Sequence, residues 1–142
     1  MKRRLLLHAL AAAGLAAALP AYADDVVAVV SARSPITNLS TNQVADIFLG
    51  KSSRFPDGTP AVPIDLVEES PVRDRFYAQY AGKSAAQVKA HWSKIIFTGR
   101  GQPPRQAADS TEVKRIVTDN PHAIGYIDAR QVDASVRVLA AR

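Results

Sequence analysis

From residue 26 onward, continuous apolar runs alternate with stretches in which apolar side chains return at helical spacing. Val26 to Val30 is an unbroken, β-branched run, the pattern of a strand buried on both faces of a parallel sheet. After a polar loop through Pro35 and Asn38, Ser40 opens a helix with complete signals. Gln43 stands at the capping-box position, Leu39 and Val44 are placed as a hydrophobic staple, and Val44, Ile47 and Phe48 form the apolar stripe that Gly50 ends. Lys51 to Pro60 carries turn chemistry, including Pro56-Asp57-Gly58. A second strand runs from Val62 to Leu66, and Pro63 within it predicts a sheet edge or a strand start.

Ser70 followed by Pro71 is an N-cap with proline at the first helical position, and the helix carries Val72, Phe76 and Tyr80 to a stop at Gly82. Ser84 with Gln87 forms another capping box, before Ala85, Val88, Trp92, Ile95 and Ile96 at helical spacing. Gly99 to Pro104 reads as a loop. A fourth helix starts near Asp109 or Ser110, buries Val113, Ile116 and Val117, and ends at Asn120-Pro121. Ala123 to Ile127 and Val136 to Ala140 complete the strands. Four strands mixed with four amphipathic helices predict an α/β domain, a mostly parallel sheet flanked by helices.

The N-terminus follows another pattern. Lys2, Arg3 and Arg4 precede an apolar run from Leu5 to Leu19, and Ala21-Tyr22-Ala23 closes it: a basic n-region, a short h-region and a cleavage site. The expectation is a secretory signal peptide over 1–23, cleaved to leave a soluble periplasmic domain over 24–142. Arg3-Arg4 leaves a twin-arginine export route open. Removing 23 of 142 residues leaves 119, enough for one domain and too few for two. The leader also removes three basic residues, so the net charge falls from +5 to +2. The high pI therefore belongs largely to the leader and does not point to a nucleic-acid partner. With no cysteine in the chain, disulfides, thiolate metal sites and a cysteine nucleophile are excluded.

Enzymatic chemistry finds little support. The histidines after the leader are His91 and His122, on different elements, and no metalloprotease, serine-hydrolase or P-loop motif occurs. Gly99-Arg100-Gly101 begins like a dinucleotide fingerprint, but Pro104 stands where its third glycine belongs. No catalytic residue, metal or cofactor is predicted. The loop after Leu66 is more informative, because a buried strand feeding a capped helix presents backbone N–H groups suited to an anion. Ser70 adds a hydroxyl and Arg73 a guanidinium. Arg100, Gly101 and Arg105 belong to a basic loop stiffened by glycine and proline, suited to phosphate or carboxylate. The competing assignment makes Ser70 a helix cap and the arginines solvated charge. Glu68-Glu69, at the helix start, complement its dipole.

The run Leu39-Ser40 through Ala45-Asp46-Ile47-Phe48-Leu49-Gly50-Lys51, followed by Asp57-Gly58, resembles the periplasmic phosphate-binding proteins of ABC transporters, as do Phe76 and the segment Pro121-His122-Ala123-Ile124-Gly125-Tyr126-Ile127. The resemblance implies the periplasmic-binding-protein fold, phosphate or another small anion as ligand, and a membrane transporter as partner. It also implies a size difference, since 119 residues supply one lobe and half a cleft, which another chain or a second copy would complete. In the ligand loop, where the family reads R-x-D-G-S-G-T, this chain has Leu66-Val67-Glu68-Glu69-Ser70-Pro71-Val72. Only the serine is kept. That departure motivates the alternative of a periplasmic interaction module that docks on a membrane receptor or transporter without a ligand.

Overall fold

The structure is a computed structural model that describes residues 25–139. The leader expected at Met1–Ala23 lies outside the described residues, as does Ala140 at the end of the last expected strand.

Five strands form one sheet: β1 (Val26–Ser31), β2 (Val62–Leu66), β3 (Arg105–Ala107), β4 (Ala123–Asp128) and β5 (Val136–Val138), in the order β3-β2-β4-β1-β5. β2 pairs in parallel with both β3 and β4, whereas β1 pairs antiparallel with both β4 and β5. Four strands thus point one way and β1 alone opposes them. The α/β class and the dominant direction agree with the sequence, but β1 departs from its expected parallel pairing. Its apolar run reports burial, which a central antiparallel strand covered by helices also requires. Val26 faces Asp128 and Val30 faces Ile124 in the β1–β4 register.

The short edge strand β3 is an addition. Arg-Gln-Ala has no apolar alternation to announce it, and it forms because Ile64 to Leu66 of β2 present an open side to Arg105–Ala107. Pro63 lies just before that pairing begins, at the start of β2, so its missing N–H interrupts no β3 bond.

The helices are α1 (Thr41–Phe48), α2 (Pro71–Phe76), α3 (Ala85–Phe97) and α4 (Ser110–Asp119). Ser40 and Ser84 both close their predicted capping boxes, with Gln43 and Gln87. α2 runs directly into a π-helical turn, Tyr77–Ala81, that ends at Gly82. Phe76, Tyr77 and Tyr80 all face inward and, with Arg73, occupy the i, i+3, i+4 and i+7 positions of one helical face, so Tyr77 joins the stripe expected from Val72, Phe76 and Tyr80.

The two sheet faces are covered differently. Tyr126 of β4 stacks on Phe76 with ring centroids 3.8 Å apart, and Phe48 meets Phe76 edge-on at 4.8 Å, so α1 and α2 pack on that face. Gly125, the neighbouring residue, faces α4 on the other side. A Cβ there would lie 2.5 Å from Val113 Cγ1 and 3.2 Å from Val117 Cγ2, so the missing side chain is what lets α4 lie directly on the sheet. α3 is peripheral. Val88 and Trp92 are its buried residues, and the expected stripe position Ile96 is exposed instead. Gly50, at φ +74°, receives the Trp92 ring; a Cβ at Gly50 would lie 2.8 Å from it. His91 Nε2 donates to the Leu49 carbonyl at 2.7 Å, a second tether.

Candidate functional site

β2, β3 and β4 run in parallel, so their carboxyl ends share one edge of the sheet. α2 leaves that edge after β2 and α4 leaves it after β3. The hollow between the two helix starts is a cleft of about 390 Å³, walled by the 66–72 loop, Ala108 to Ser110, Asp128 and Gln131. Open α/β sheets bind ligands at this position, outside the carboxyl ends of the strands.

Each helix start is tied by its own side chains. Ser70 Oγ accepts the Arg73 N–H at 3.3 Å, and Asp109 Oδ1 accepts the Glu112 N–H at 2.9 Å. Ser110 Oγ accepts the Asp128 N–H at 3.3 Å. Because both serine oxygens act as acceptors in these bonds, each keeps its hydroxyl proton for a guest. The 66–72 loop is partly closed on itself: Val67 N–H donates to the Ala107 carbonyl and Ser70 N–H to the Val67 carbonyl. Carboxylates dominate the charge of the walls. Asp128 is neutralised by Arg130 at 2.7 Å and approached by Arg75 at 4.0 Å. The Arg130 side-chain hydrogen bond holds the Asp128 carboxyl below the usual carboxylate range, against a smaller opposing effect of desolvation. Glu69 and Asp109 contribute two further acids.

The five residues singled out in the sequence do not share this cleft. Ser70 lines it. Arg73 turns away beneath α2 into a separate hollow of about 160 Å³ shared with Glu68, Tyr77, Val88 and Lys89. Its Nε lies 3.5 Å from Asp65 Oδ1, and its guanidinium covers the Tyr77 ring at 5.5 Å. Arg100 and Gly101 are exposed between α3 and β3. Arg105, expected on the loop, is the first residue of β3 and lines a third hollow with Gly50, Trp92, Pro103 and Pro104.

Sequence reasoning missed the buried polar centre beside the cleft. Asp65 is 1% exposed. Tyr77 donates to its Oδ2 at 2.6 Å, Tyr126 donates to its Oδ1, and the Leu66 N–H adds a bond at 2.9 Å. Desolvation raises the Asp65 pKa, with the two tyrosine hydrogen bonds opposing the shift. Desolvation also raises both tyrosine pKa values, so both phenols stay protonated donors. The available signal was a lone acid between Ile64 and Leu66 in a buried strand. The centre joins β2, β4 and the π-helical turn, and so it positions the loop that bears Ser70. The Asp109–Ser110 wall was missed as a site because those residues read only as a helix start.

No family model matches the chain. Among solved structures, it resembles a phosphate ABC transporter substrate-binding protein with bound phosphate from Clostridium perfringens, with TM-score 0.65 and 23% identity over 82% of this chain and 44% of that one. An ABC-type phosphate transport receptor from Vibrio cholerae superposes with TM-score 0.65 and 20% identity over 82% of this chain and 45% of that one. PstS from Borrelia burgdorferi gives TM-score 0.57 and 17% identity over 82% and 47%. This chain spans less than half the length of each of these proteins. The likeness establishes the fold, a single α/β lobe of the periplasmic-binding-protein kind.

Proposed function

We propose that this chain is a periplasmic solute-binding lobe that holds phosphate or another small anion in the cleft between the starts of α2 and α4 and serves a membrane transporter. One observation carries the reading: two helix N-termini and two serine hydroxyls meet at the carboxyl ends of three parallel strands. Helix starts concentrate donor groups and the positive end of the dipole, and the serines add neutral donors that need no counter-charge. The fold shared with phosphate-binding proteins supports the same ligand class. In the assigned roles, Ser70 and Ser110 donate to the anion, and Glu69 and Asp109 select a guest that carries its own proton. A carboxylate beside an anion repels it unless a proton lies between them. Hydrogen phosphate supplies that proton and sulfate at neutral pH does not. The open side of the cleft is closed by a second chain or a second copy.

Calorimetric titration of the chain from Asp24 onward with phosphate, sulfate and acetate tests the proposal. Phosphate should release or absorb heat at millimolar concentration or below, and sulfate should bind more weakly. Ser110→Ala should lower phosphate affinity about tenfold, the effect of losing one hydrogen bond of about 1.4 kcal/mol to a charged group. Absence of any heat at millimolar phosphate would remove the anion from the reading.

A further inference from the structure

The stretch around α3 carries a different feature. From Arg75 to Ala108 the chain has no aspartate or glutamate, yet it contains Arg75, Lys83, Lys89, Lys94, Arg100 and Arg105. α3 lies within this one-sign stretch and is held by Val88 and Trp92, so its opposite face is turned to solvent. At the end of that helix Phe97 is 93% exposed and Ile96 54%. Lys94 is three residues before Phe97, one turn back on the same helical face, whereas Lys89 turns toward the hollow it shares with Glu68 and Arg73. Arg100 follows beyond Gly99, which at φ +67° turns the chain away from the helix end. Among the described residues, none of Lys89, Lys94 and Arg100 is ion-paired.

We propose that the Ile96–Phe97 tip of α3, flanked by Lys94 and Arg100, docks this chain on an anionic phospholipid surface. An aromatic side chain left in water at a helix end costs free energy unless something covers it, and none of the described residues does. The tip projects, so a partner must be soft or concave. A lipid interface accepts a projecting aromatic without matching its shape, and basic residues with no acid among them are drawn to acidic headgroups. No helix among the described residues is long and apolar enough to cross a membrane, so attachment through this tip is peripheral.

The test is flotation of the chain from Asp24 onward, which holds every described element, with vesicles of phosphatidylglycerol and phosphatidylcholine or of phosphatidylcholine alone. The protein should float with the anionic vesicles at low salt. It should stay in solution with neutral vesicles, and also at about 1 M salt, where the screening length is about 3 Å. Phe97→Ser should reduce partitioning about tenfold, and Lys94→Glu with Arg100→Glu should abolish it. These positions are exposed, so unchanged circular dichroism would show that the variants are folded. Equal partitioning of Phe97→Ser and the parent chain overturns the proposal. So does retention on immobilised polyglutamate without flotation, which would assign the basic face to an acidic protein.

Discussion

Replacing Gly125 by alanine perturbs the contact that sets one wall of the cleft. The glycine has no positive φ, so alanine meets no backbone strain there, and the change on its own would stabilise by about 0.4–1 kcal/mol through the unfolded chain. Against that stands the Cβ position, 2.5 Å from Val113 Cγ1 and 3.2 Å from Val117 Cγ2. Both valines are fully buried in α4, so neither can swing into solvent. The helix must lift off β4, and overpacking of this kind costs about 1–3 kcal/mol. The net expectation is a loss of about 1–2 kcal/mol, or about 4–8 °C in Tm for a domain of this size. Urea and thermal unfolding followed by circular dichroism measure it. Val113→Ala removes the clashing methyl, so in the double variant the loss should be smaller than the sum of the two single losses by about 1 kcal/mol. A Gly125→Ala protein as stable as the parent, or strictly additive losses, would refute the packing argument. Because Ser110 begins the same helix, the variant should also weaken anion binding.

Three further outcomes follow from the same geometry. Gly50→Ala combines φ +74° with a Cβ placed 2.8 Å from the Trp92 ring; it should cost at least about 1 kcal/mol and shift Trp92 fluorescence, both read in one denaturant titration. Ser70→Ala removes the cap on the Arg73 N–H, so stability should fall by about 1 kcal/mol, and phosphate heat should weaken beyond that seen in a variant of an equivalent cap outside the cleft, Ser40→Ala. The third concerns pH. Asp128 has a lowered folded pKa, so the stability it contributes is present above its unfolded value of about 3.9 and is lost as pH falls through the folded value. Asp65 has a raised pKa and acts in the opposite sense, with its contribution greatest below the unfolded value and lost as pH rises through the folded one. Asp128→Asn should therefore flatten the acid limb of a stability-against-pH curve below about pH 4, and an unchanged limb would show that other carboxylates control it.

The segments that carry the family resemblance prove to be packing devices. Ile47, Phe48 and Leu49 are buried, Gly50 receives Trp92, Gly125 admits α4, and Tyr126 stacks on Phe76. That explains how a likeness in these motifs agrees with the fold while the ligand loop is free to differ. Arg73, read in the sequence as a ligand group one turn into a helix, stands 3.5 Å from the buried Asp65 carboxylate.

The capped helices, the buried strands and the α/β class were legible in the chain alone, because capping boxes, staples and hydrophobic periods act between residues a few positions apart. The direction of β1, the existence of β3, the π-helical turn and the Asp65 centre were settled only by folding. Each depends on contacts between residues far apart along the chain, such as Val26 with Asp128 or Asp65 with Tyr126. The cleft belongs to the second group. Ser70 and Ser110 are ordinary helix starts in the sequence, and they become one site because parallel strands bring their carboxyl ends to the same edge of the sheet.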